Sequence, residues 1–159
     1  MGSGASDLVI SVITPEGTST TANAELSIKD DGTLTSITVI GDTGALQLDS
    51  RAIAQLAKGT TAKIVVEKAD ESAMNEKQRR AAQNYTVYDA YVLLDSKRVS
   101  SIDGTIYLTL PYTLKEGESA SDVHIYYLDD DGQVFYVGGT YQFGSVTAQV
   151  DHLSYYFAG

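Results

Sequence analysis

The chain has 159 residues, 43% of them hydrophobic, enough for one large domain with a buried core or for two small lobes sharing one. Its formal net charge of −10 repels a phosphate backbone or an anionic membrane surface, and the densest basic stretch, Lys-Gln-Arg-Arg at 77–80, reads as the solvated face of a helix. There is no cysteine, which excludes disulfides, thiolate metal sites and a Cys nucleophile, and no apolar run approaches the roughly 20 residues of a membrane span.

In chain order, residues 1–6 (Met-Gly-Ser-Gly-Ala-Ser) read as an expression leader with no apolar signal region, leaving 7–159 as one module. A division of that module into two β lobes, 7–100 with the helices and 101–159 all β, is the other reading. Residues 8–13 form the first predicted strand, stopped at Pro15-Glu16-Gly17. Apolar and polar residues alternate over 24–28 and again over 34–40, on either side of Asp30-Asp31-Gly32, which predicts a hairpin. Asp49-Ser50 followed by 51–58 and Gly59 predicts a capped helix with Ile53, Leu56 and Ala57 facing a sheet. A strand is expected at 62–68 and a short polar helix, begun at Asn75, over 75–83.

From Tyr85 onward the pattern is all β. One hairpin is predicted around Asp95-Ser96-Lys97 and another around Asp129-Asp130-Asp131-Gly132, with strands at 105–110, 146–150 and 154–157. Turn signals at short intervals indicate a mainly β fold: a β-sandwich, or two packed antiparallel sheets, with two short accessory helices.

Little conventional chemistry is spelled out. The Asp129–Asp131 run has neither the spacing nor the closing Glu of a calcium loop and is explained by its turn, as is Asp30-Asp31-Gly32. Gly138-Gly139 follows a strand but opens no helix, so it forms no phosphate cradle. No metal or cofactor is expected. Six tyrosines, Tyr126, Tyr127, Tyr136, Tyr141, Tyr155 and Tyr156, are numerous enough for a carbohydrate-stacking platform, although alternation should bury half of them.

The strongest chemical candidate is Asp151-His152-Leu153-Ser154-Tyr155-Tyr156. On an extended strand His152 and Ser154 share a face, which is the minimum arrangement for a base activating a hydroxyl. Ser154 Oγ would attack the carbonyl carbon of Leu153, shifting the acyl group from nitrogen to oxygen. Hydrolysis of that ester would cut the chain between Leu153 and Ser154.

Several stretches look familiar: 104–117 (Gly-Thr-Ile-Tyr-Leu-Thr-Leu-Pro-Tyr-Thr-Leu-Lys-Glu-Gly), 123–132 (Val-His-Ile-Tyr-Tyr-Leu-Asp-Asp-Asp-Gly), Gly139-Thr140-Tyr141 and the closing Asp-His-Leu-Ser-Tyr of 151–155. Together with 48–53 and 62–68, they resemble a module repeated in clostridial and related Gram-positive surface proteins, which often carry S-layer homology domains or other wall anchors. The ending is also similar to the His-Leu-Ser/Thr or His-Phe-Ser cleavage motif of self-cleaving β-rich domains, such as the GAIN domain of adhesion receptors and the domain shared by netrin receptors and ankyrins. That second resemblance implies His152 as base, Leu153 as the residue before the cut and Ser154 as nucleophile. The cysteines flanking the receptor motif are absent here.

The resemblance implies an extracellular protein associated with the cell wall or S-layer. Its expected role is that of a non-enzymatic structural or adhesive module, with self-cleavage as the alternative. Expected partners are other domains of the same surface protein and a glycan or protein ligand, with no nucleic acid and no membrane insertion.

Overall fold

A computed structural model describes residues 6–11, 21–28, 34–99, 101–102 and 104–159. Two sheets pack face to face, as the sequence pattern predicts. The first runs in the order β1 (Ser6–Ser11), β3 (Leu34–Gly41), β4 (Gly44–Asp49), β8 (Ile106–Pro111), β12 (Ser145–Val150) and β11 (Thr140–Gln142). The second runs β10 (Val134–Gly138), β9 (Ile125–Leu128), β13 (Tyr155–Ala158), β6 (Val87–Leu94), β5 (Ala62–Lys68) and β2 (Ala22–Leu26), with the short β7 (Lys97–Arg98) paired to β6. Strand pairing is antiparallel except at one edge, where β1 lies parallel to β3. Strands from both halves of the chain share each sheet: β4 pairs with β8, and β6 with β13.

Alternation explains the core. On β8, Ile106, Leu108 and Leu110 point inward while Tyr107 stays exposed. They meet Ile37, Val39, Leu46 and Leu48 of their own sheet and Ile64, Val66, Val92 and Tyr156 of the facing one in a single buried cluster. Each such aliphatic side chain contributes about 1.5–3 kcal/mol when removed from water.

Both helices form where their caps predict them. In α1 (Ser50–Leu56) the Asp49 carboxylate accepts the N–H groups of Arg51 and Ala52, and Ala52, Ile53 and Leu56 pack into the core beside β3 and β4. In α2 (Glu76–Ala81) Asn75 and Gln78 cap each other reciprocally. Around α2, Met74 and Ala82 join Val87, Leu128 and Phe157 in a second cluster on the outer face of the second sheet. That sheet is therefore covered on both faces, which is why Val87, Tyr88, Asp89 and Ala90 are all buried in succession.

One predicted hairpin is corrected. The two alternating segments around residues 30–32 do not pair: β2 joins β5 in the second sheet, while β3 pairs with β1 and β4 in the first. The turn at Asp30-Asp31-Gly32 itself lies outside the described residues. Closing β3 onto β4 needs only Asp42 and Thr43, a far shorter loop than the one separating β2 from β3. Thr43 then ties the two sheets together, accepting from Ala22 N–H at 2.9 Å and donating to the Val66 carbonyl.

The Gly138-Gly139 pair is the corner where the chain leaves β10 in the second sheet and enters β11 in the first. Both glycines have positive φ (113° and 108°), and a Cβ on Gly139 would lie 2.7 Å from the Thr147 carbonyl oxygen. No helix among the described residues is long and apolar enough to cross a membrane.

Candidate functional site

The segment from Asp151 to Ser154 is a bend, not a strand. It carries the chain from the end of β12 in one sheet to the start of β13 in the other, so two-residue alternation does not apply across it. Leu153 points into the core with 5% of its surface exposed. The Ser154 carbonyl accepts the Ala90 N–H at 3.0 Å, and the Tyr156 hydroxyl donates to the His152 carbonyl at 2.6 Å.

His152 Nδ1 lies 2.7 Å from Asp151 Oδ1. That hydrogen bond outweighs desolvation and, with lesser help from the His152 charge and a backbone hydrogen bond, holds the Asp151 carboxyl below its usual range. The imidazole stands nearly perpendicular to the Tyr127 ring, 88° and 4.4 Å between centroids, and 5.9 Å from that of Tyr156. Where the sequence pattern placed His152 and Ser154 side by side on a strand face, no hydrogen bond joins them among the described residues. They border a common shallow cleft with Arg98, Asp130, Leu153 and Tyr155.

The aromatic side chains divide by face. Across the outer face of the second sheet runs a ladder of Tyr136, Tyr126, Phe157 and Tyr85, with successive centroids 5.8, 5.4 and 4.5 Å apart. Toward the other face, Phe135, Tyr127 and Tyr156 form a row with spacings of 5.7 and 5.7 Å. Tyr156 is buried, Tyr126, Tyr127, Tyr141 and Tyr155 are half-buried, and Tyr136 is 65% exposed.

Both rows end on β10, the edge strand, where Val134 (42%) and Phe135 (45%) are also exposed. The tyrosine count alone misses Phe135. The signal for it is the unbroken apolar run Val134-Phe135-Tyr136-Val137, which marks a strand with apolar groups on both faces and no charge along its length.

Beside this rim lies an open cleft of about 510 Å³, within the size range of small-ligand sites. Tyr127, Phe135 and Val137 supply apolar surface, and Gln149, Asp151 and His152 supply polar groups. On the outer side, Tyr136 Oη lies 3.5 Å from His124 Nδ1, accounting for the second histidine of the chain. Asp129 Oδ1 accepts the N–H groups of Asp131 and Gln133 and so shapes the β9–β10 turn. Among the described residues no three His, Asp or Glu side chains are grouped to hold a metal ion. No protein-family model matches the chain, and no curated protein sequence matches it.

Proposed function

We propose that the chain is a non-enzymatic structural and adhesive module of a bacterial cell-surface protein, located at the cell wall or S-layer and working beside other domains of the same protein. The observation that carries this reading is the rim of edge strand β10, where Val134, Phe135 and Tyr136 lie exposed on a rigid aromatic backing. An uncharged edge of this kind invites association and is normally blunted by Lys or Pro, so an edge left unblunted favours use as a contact surface. The acidic charge keeps such a surface soluble. The Gram-positive surface-module resemblance of 104–117, 123–132 and 151–155 points to the same setting.

The test is accessibility on intact cells that make the protein. Antibody against the module should label unpermeabilised cells, and brief protease treatment of those cells should release its peptides. Labelling only after permeabilisation would refute the reading. The same reading has the chain uncut at Leu153–Ser154.

A further inference from the structure

We infer that the cleft between Phe135 and His152 is a glycan subsite that accepts neutral and amine-bearing sugars and rejects anionic ones. The inference rests on the adhesive reading above and names its ligand class.

Two aromatic rings give the cleft apolar surface. Phe135 and Tyr127 stack at 5.7 Å with 22° between their planes, and Phe135 is nearly half exposed. One face of a pyranose ring is a patch of C–H groups, which such a surface takes up with little loss of rotamer freedom because aromatic side chains have few torsions to fix. Around these rings stand groups suited to hydroxyls: the upright His152 ring, the Asp151 carboxylate, whose side chain is 96% exposed, and Gln149. Tyr127 and the His152 backbone are held in advance. Tyr127 sits on β9 between β10 and β13, and the His152 backbone is fixed by Tyr156.

Charge selects among glycans. Among the described residues, Asp151 is the only Asp, Glu, Lys or Arg lining this cleft. Arg98, which lines the neighbouring cleft that shares His152, is paired to Asp89 at 2.6 Å. With a net charge of −10 on the chain, a uronate or a sugar phosphate meets repulsion, whereas an ammonium group on a sugar is attracted to Asp151.

Amide chemical-shift titrations with oligomers of glucosamine, N-acetylglucosamine and galacturonate, at roughly physiological salt to suppress diffuse charge effects, test this. The glucosamine oligomer should bind best and the N-acetyl form more weakly, with shifts centred on Tyr127, Phe135 and His152; galacturonate should give none. Phe135→Ala should weaken binding by about tenfold or more, as loss of a central aromatic anchor does. Asp151→Asn should lower the preference for the amine by about threefold, the scale of an exposed ion pair. Phe143→Ala, on an exposed turn at the far end of β12, should change nothing.

Equal binding of galacturonate, indifference to Phe135→Ala, or capture of extended peptides along β10 with no glycan binding would each overturn the inference. Such a failure with the module still displayed on intact cells removes the ligand class alone. A module absent from the cell surface removes the reading beneath it.

Discussion

The hydroxyl of Tyr156 donates to the backbone carbonyl of His152 at 2.6 Å, so a buried ring of β13 holds the bend that precedes it. Burial, with the Asp151 carboxylate nearby, pushes this phenol well above its ordinary value and keeps it a proton donor at any working pH. Tyr156→Phe leaves the His152 carbonyl without this partner while conserving ring packing. The expected cost is about 1–2 kcal/mol in urea denaturation, with faster amide exchange confined to 151–154. An unchanged midpoint would show that the bond contributes nothing.

The chain is expected to remain intact. An acyl shift needs Ser154 Oγ directed at the Leu153 carbonyl with a base within about 3 Å of the hydroxyl. Here no hydrogen bond joins His152 to Ser154 among the described residues, Leu153 is locked in the core, and the Ser154 carbonyl is bonded to β6 through Ala90. Denaturing mass spectrometry after prolonged incubation should therefore give the full 17.0 kDa chain, for the unmodified protein and for His152→Ala alike. Appearance of a species lacking 154–159, abolished by His152→Ala, would establish self-cleavage in its place.

Arg98 reaches from the two-residue strand β7 to Asp89 on β6, with Nη2 2.6 Å from Oδ1 and Nη1 3.3 Å from Oδ2. Asp89 is only 9% exposed, so a carboxylate left there without its partner bears a desolvation cost. Arg98 also lies 4.8 Å over the Tyr91 ring. Arg98→Met should destabilise the protein by about 1–3 kcal/mol. The exposed Arg80–Glu76 pair on α2 has the same 2.6 Å separation, yet Arg80→Met should cost no more than about 0.5 kcal/mol. Denaturation of the two variants side by side checks this, and equal losses would mean that burial of Asp89 does not matter.

What the sequence reveals here is what short-range chemistry decides. Asp49 and Asn75 can be read as helix caps because their partners lie two or three residues away. The hairpin at 95–96 is readable for the same reason, and both residues take the left-handed conformation such a tight turn demands, with φ of 51° and 69°. Partnership across sheets is not local. Alternation in 24–28 and 34–40 identifies two strands without saying that they belong to different sheets.

The strand β4 is masked by its closeness to the α1 cap. At β10, two rows of rings converge on one edge, and both faces become apolar, a pattern that alternation cannot anticipate. No hydrogen bond joins His152 to Ser154 among the described residues for a related reason. Alternation holds only along a continuous strand, whereas 151–154 cross between sheets and spend Leu153 on the core.

Asp49 couples the fold to pH. Its Oδ1 accepts from the N–H groups of Arg51 and Ala52, each at 3.1 Å, and its Oδ2 accepts from Thr105 N–H at 2.7 Å, so one carboxylate caps α1 and secures the approach to β8. Desolvation pushes its pKa up, but the bonds from Thr105, Ala52 and Arg51, with the Arg51 charge, outweigh that and leave it below its ordinary value. A carboxyl more acidic in the folded state binds its proton more readily when unfolded. Its stabilising effect is therefore complete above the unfolded value of about 4 and is lost as pH falls through the folded one. Asp49→Asn keeps an acceptor for the cap while removing the charge. Urea midpoints measured at neutral pH and near pH 3 should show the unmodified protein losing more stability on acidification than Asp49→Asn does. The variant still declines, because Asp151, Asp70 and Glu118 are also held below their ordinary values. Equal declines would mean that Asp49 keeps its proton affinity on folding, and that its three hydrogen bonds do not favour the ionised form.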